Sequence, residues 1–117
     1  MNMAESLNKQ GYTVEPDNLV LAGEYPVLHR TIKVTTAAAV KRGTALVLGE
    51  AGAVTPATSA ETNIIGIASD DFEPEQSADH VVVDAFVSGA FNAAKVVGVT
   101  VTPAVAFGAQ ANGIYLL

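Results

Sequence analysis

The run Asn63-Ile64-Ile65-Gly66-Ile67-Ala68, followed after a polar loop by His80-Val81-Val82-Val83-Asp84-Ala85-Phe86-Val87-Ser88-Gly89, decides the fold class. Both pieces are short, rich in β-branched residues and bounded by turn formers, which is the pattern of strands. Gly66 inside the first run predicts a bulge or a close backbone approach. Residues 80–87 form the longest strand candidate, closed by Ser88-Gly89.

Similar signals extend in both directions. Upstream, Thr31-Ile32-Lys33-Val34-Thr35 alternates apolar with polar, placing Ile32 and Val34 on one face of a half-buried strand. Residues 44–48 are apolar, Gly49-Glu50-Ala51-Gly52 reads as a turn, and 53–55 return as the second arm of a hairpin. Pro56 and the Ser/Thr/Ala segment to Thr62 form a loop. Downstream, Asn92 is a cap for a short helical turn within 91–97. Thr102-Pro103 starts a helix that runs to about Gln110, because a Thr cap and a Pro at the first position satisfy the orphan N–H groups there. Asn112-Gly113 ends that helix, and 114–117 is a closing strand. The expected fold is therefore mainly β, a compact single domain with one or two short helices.

The first 18 residues are polar and show neither helical nor strand periodicity, so they read as an arm preceding a domain over 19–117. Residues 18–28 place short apolar pieces around Gly23 and Pro26, which suits an edge strand or docking segment better than a core strand. Residues 1–12 hold no apolar core of a secretory signal. Residues 96–117 carry no charge, but Gly98, Pro103, Gly108 and Gly113 interrupt them, and a buried segment is expected there in place of a membrane span.

Charge and composition narrow the function. Half of the 117 residues are apolar, cysteine is absent, and 12 acids against 6 bases leave a net charge of −6. Asp70, Asp71, Glu73, Glu75, Asp79 and Asp84 supply six of the negative charges in a stretch with no Lys or Arg. No basic patch exists to neutralise a row of phosphates, so nucleic acid is not an expected partner. The acidic stretch is the one cluster able to bind a divalent ion. It lacks the tight Gly of a calcium loop, contains Pro74, and reads as a solvated loop. His80 beside Asp79 and the lone His29 are the candidate bases, yet Ser77 and Ser88 sit in no nucleophile elbow and no Gly-rich phosphate loop follows a strand. No catalytic residues, cofactor or metal ligands are assigned.

Four motifs in order resemble the lambda-like phage head decoration proteins. They are Lys41-Arg42-Gly43-Thr44-Ala45-Leu46-Val47-Leu48; Asn63-Ile64-Ile65-Gly66-Ile67-Ala68-Ser69-Asp70-Asp71; His80 through Ser88-Gly89-Ala90-Phe91; and 109–117 with its Gly113-Ile114 closing strand. The likeness covers about residues 19–117. It implies a non-enzymatic β-clip domain that sits as a homotrimer on the outside of the expanded head. Such a protein is made in the bacterial cytoplasm and is part of the virion. It cements major capsid subunits without touching DNA, membrane or cofactor. The family's N-terminal arm contacts the capsid by adding a strand; on this chain that role falls on Asn18, Leu19, Val20, Leu21, Tyr25, Pro26 and Val27. Here the arm is longer and differs in sequence. Two alternatives stay open: another virion module of the tail or fibre, and a β-clip trimeric enzyme of the dUTPase type. The dUTPase pattern needs a catalytic Asp in a Gly-rich setting and a Gly-rich tail with Arg and Phe, neither of which this sequence has.

Overall fold

The computed structural model describes residues 18–21, 25–74 and 79–117. In chain order it contains β1 (Leu28–Thr35), β2 (Ala45–Leu48), β3 (Val54–Pro56), β4 (Ile64–Ala68), β5 (His80–Phe91), a single 3-10 turn (Ala93–Lys95), α1 (Pro103–Gln110) and β6 (Ile114–Leu116). The fold is mainly β with one α-helix, as the spacing predicts. The arm expected over 1–18 lies, apart from Asn18, outside the described residues, as do Gly23 and Glu75.

The strands run in the order β1-β3-β2-β4-β5-β6, and β5 also pairs with β1, so the first five close into a small barrel. Closure pairs the two outer strands of what would otherwise be a flat sheet of short strands, although the β1–β3 seam is a single residue pair long. Its longest seam is β1 against β5, antiparallel from Thr35–His80 to Leu28–Ser88. Its shortest is the parallel contact of β1 with β3 at Val34–Val54.

Two cores follow from strand alternation. Val34, Leu46, Ala68, Val81, Val83 and Ala85 are buried with Val40, and Ile32 and Val54 pack on them; every strand of the ring contributes, so this cluster fills the barrel. Ala45, Val47, Ile64, Ile67, Phe86 and Phe91 face the other way and are covered by Val105 and Ala109 of α1 and by Ile114 and Leu116 of β6. The uncharged C-terminal quarter is thus the lid of the second core, which explains its apolar composition.

Bulges assign residues to the two cores. The β2–β4 register shifts between Leu46 and Val47, so Ile64 and Ile67, three apart, both reach the outer core. Gly66 makes the close approach its sequence predicts: an added β-carbon would lie 3.2 Å from the Phe86 carbonyl. A correction concerns the end of β5. The strand does not stop at Ser88-Gly89 but continues to Phe91 through Gly89, whose φ of +142° is open to glycine. There β6 joins it in parallel register, Gly89–Ile114 to Phe91–Leu116.

The helical signals hold. The Asn92 side chain accepts from the Ala94 N–H at 3.0 Å to cap the 3-10 turn, and Thr102 accepts from the Val105 N–H at 3.4 Å to cap α1.

Candidate functional site

The segment assigned to docking is divided by the fold. Leu19 is only 1% exposed, buried in the outer core beside Phe91. Its carbonyl accepts from the Asn92 N–H at 2.8 Å, Leu21 N–H donates to the Ala90 carbonyl at 2.9 Å, and Val20 bridges Phe91. Residues 19–21 therefore form an antiparallel border on the last turns of β5, opposite β6, and their contacts belong to the domain. Asn18 is exposed with a φ of +59°, a left-handed conformation that Asn tolerates.

Residues 25–28 are offered outward. Tyr25 is 47% exposed and rests its ring on Tyr115, with centroids 4.7 Å apart. The Pro26 carbonyl accepts from the Ser88 hydroxyl at 2.9 Å. Val27 packs where the missing side chain of Gly89 leaves room, since a β-carbon there would lie 3.2 Å from Val27 Cγ2. Leu28 opens β1 with 56% of its surface exposed. Backbone and aromatic contacts thus hold a strip of apolar side chains on the surface. Beyond it, residues 28–31 of β1 have β5 on one side, and β3 meets β1 only at Val34.

The fold also gives the histidines partners. His29 Nδ1 lies 3.4 Å from Asp84 Oδ2 across the β1–β5 seam, and its ring meets Phe86 edge-on at 4.7 Å. Sequence reading left His29 unpartnered, because the contact depends on a register between residues 55 positions apart. Ser69 donates to the Asp84 carbonyl at 2.8 Å and lies 3.4 Å from its carboxylate. Ser, Asp and His are therefore together, but the carboxylate sits in the middle. A nucleophile needs the imidazole between serine and acid to take its proton, so this order activates nothing. His80 pairs with the adjacent Asp79 at 3.2 Å, and that hydrogen bond holds the exposed Asp79 carboxyl below its usual range.

The acidic stretch is partly tied down. Phe72 exchanges two backbone hydrogen bonds with Val40 at 2.7 and 2.8 Å and packs on the barrel core. Asp71 accepts from the Arg42 N–H at 2.7 Å, while the Arg42 guanidinium donates to the Ser69 carbonyl. Among the described residues no group of three or more His, Asp or Glu side chains converges where a metal ion would sit. Among the described residues no helix is long and apolar enough to cross a membrane. Set against models of known protein families the chain matches none, and no curated protein matches it.

Proposed function

We propose that this chain is a structural protein of a phage virion, of the head decoration kind, which binds the outside of the expanded head as a trimer and cements neighbouring major capsid subunits. The four ordered motifs support the reading, and three of them carry glycines at identifiable places in the fold. Gly66 stands at the β2–β4 bulge, Gly89 and Phe91 in the last residues of β5 where β6 pairs, and Gly113-Ile114 at the start of β6.

The observation that carries the proposal is the exposed strip of Tyr25, Val27 and Leu28 beside the one-sided edge of β1. Apolar side chains next to main chain that no other described strand pairs suit a partner that adds a strand and buries the side chains between. Three such strips on a trimer would bind cooperatively through effective concentration, with no chemistry required. The net charge of −6 keeps packaged DNA out of the set of partners.

The test mixes the purified protein with expanded heads of a phage whose genome carries its gene. Co-sedimentation and imaging are expected to place it at three-fold positions. Leu28→Asp is expected to abolish binding with its melting temperature unchanged. Failure to bind expanded heads, or a strict monomer found at five-fold positions only, overturns the proposal.

A further inference from the structure

The sequence holds one Asn-Gly pair, Asn112-Gly113, and the fold selects each residue for a separate reason. Gly113 follows the end of α1 with a φ of +85°, and its N–H donates to the Gln110 carbonyl at 3.0 Å. An added β-carbon would meet nothing nearer than the Val87 carbonyl at 4.0 Å, so the left-handed backbone, and not space, demands glycine. Asn112 is selected by its donors. Its Nδ2 donates to Asn63 Oδ1 at 3.0 Å and to the Ile64 carbonyl at 2.9 Å. Asn63 in turn donates to the Leu48 carbonyl at 2.9 Å. This amide relay ties the turn between α1 and β6 to β4 and to the end of β2.

Together the two residues carry a reactivity that neither structural demand requires. With no side chain at Gly113, its backbone nitrogen can reach the Asn112 side-chain carbonyl carbon. We propose that Asn112–Gly113 is a site of spontaneous deamidation that the folded state holds in check. Hydroxide or a buffer base takes the Gly113 N–H proton, and the nitrogen bonds to Cγ. The bond from Cγ to Nδ2 breaks, and ammonia leaves with a proton returned from solvent. Water then opens the cyclic imide at one carbonyl or the other, leaving aspartate or isoaspartate.

In the fold that proton is already donated to Gln110, and the Asn112 amide is held by two acceptors, so reaction requires local opening of the turn. The product does not restore the relay. A carboxylate at 112 loses both donors and faces Asn63 Oδ1 and the Ile64 carbonyl, two acceptors that repel it. Loss of ammonia makes the modification one-way, and the folded turn is left without its relay. The remaining asparagines precede Met, Lys, Leu, Ile or Ala and serve as internal controls.

The experiment incubates the full-length protein in mildly alkaline buffer, folded and in urea, then digests it with trypsin for mass spectrometry. The peptide 96–117 contains Asn112 as its single asparagine, and 43–95 holds Asn63 and Asn92. Peptide 96–117 is expected to gain the amide-to-acid mass at least about tenfold faster in urea, the ratio that an opening free energy of about 1.4 kcal/mol imposes. Peptide 43–95 is expected to stay unmodified. In the folded state, Asn63→Ala is expected to react several-fold faster than wild type; should it not fold, the wild-type comparison stands by itself. No mass gain in urea overturns the site, and equal rates folded and unfolded overturn the protection.

Discussion

The carbonyl of Thr62 occupies the space that a β-carbon on Gly108 would need. That approach lets α1 lie close on the loop at 57–62 and cover Ile64 and Ile67. The same loop receives Gly98, whose added β-carbon would lie 2.6 Å from the Ala57 carbonyl, and Thr100, whose N–H donates to Ser59 at 2.8 Å. The lid of the outer core is thus seated on backbone, through glycines.

Gly108→Ala tests that seating. Helix propensity alone favours alanine by about 1 kcal/mol, while overpacking against a fixed carbonyl costs about 1–3 kcal/mol or more. Because backbone cannot rotate aside as a side chain can, the clash is expected to win, with a melting temperature several degrees lower by calorimetry. Gly49→Ala is the control, since its nearest neighbour is the Ala53 carbonyl at an ordinary 3.5 Å. A Gly108→Ala protein as stable as this control would refute the seating.

The loop itself rests on Glu61. Its carboxylate accepts from the Ser59 N–H at 2.9 Å, the Thr58 hydroxyl at 2.8 Å and the Thr58 N–H at 3.1 Å. The Ser59 N–H first, then the Thr58 hydroxyl, hold the carboxyl down to about 2 from the ordinary 4.5. A folded pKa below the unfolded one means this contribution is complete above the unfolded value and is lost as pH falls toward 2. Wild type is therefore expected to lose more stability than Glu61→Gln between pH 4.5 and 2. Glu61 is only partly buried, so salt weakens the difference. Parallel stability curves for the two proteins across that range would remove Glu61 from the account.

Much of this fold is legible in the sequence. The limits of β4 and α1, both caps and the hairpin follow from local chemistry, which reads the same in sequence and in space. What stayed hidden depends on register. Phe72 looked like part of a solvated acidic loop, and only its pairing with Val40 across the chain makes it an anchor. Ser88-Gly89 looked like a strand end because glycine usually is one, yet β6 and residues 19–21 extend the pairing on either side. Residues 19–21, read as part of a docking segment, border β5 inside the domain, and the burial of Leu19 could not be read from a short run of apolar residues.

Leu19 marks where the chain can be shortened. A chain beginning at Asp17 keeps every described contact, the strip at 25–28 included, and is expected to melt nearly as wild type does. Removing Leu19 empties a fully buried site beside Phe91, and Leu19→Ala is expected to cost about 2–5 kcal/mol. Denaturant titration of the two separates an arm from a piece of the core. A collapse of the Asp17 chain would show that residues before it belong to the sheet.

Gly89 joins the fold to the proposed binding strip. At φ +142° any other residue is strained, and a β-carbon would lie 3.2 Å from both the Phe91 ring and Val27 Cγ2. Phe91 is fully buried in the outer core, with its ring 5.5 Å from that of Phe86. Val27 is 37% exposed and is the neighbour that gives way. Gly89→Ala is therefore expected to lower stability by about 1–3 kcal/mol from backbone strain. It is also expected to lift residues 25–27 off β5, breaking the Ser88–Pro26 hydrogen bond and unstacking Tyr25 from Tyr115. Ser88→Ala removes that hydrogen bond without the strain, at about 1 kcal/mol or less. If the strip binds the capsid as a preformed surface, both variants lose head affinity, and Gly89→Ala loses more than its stability change accounts for. Amide exchange at Val27 and Leu28 reports the lifting directly. Unchanged exchange there in Gly89→Ala would show that the strip is held by something other than its seat on β5.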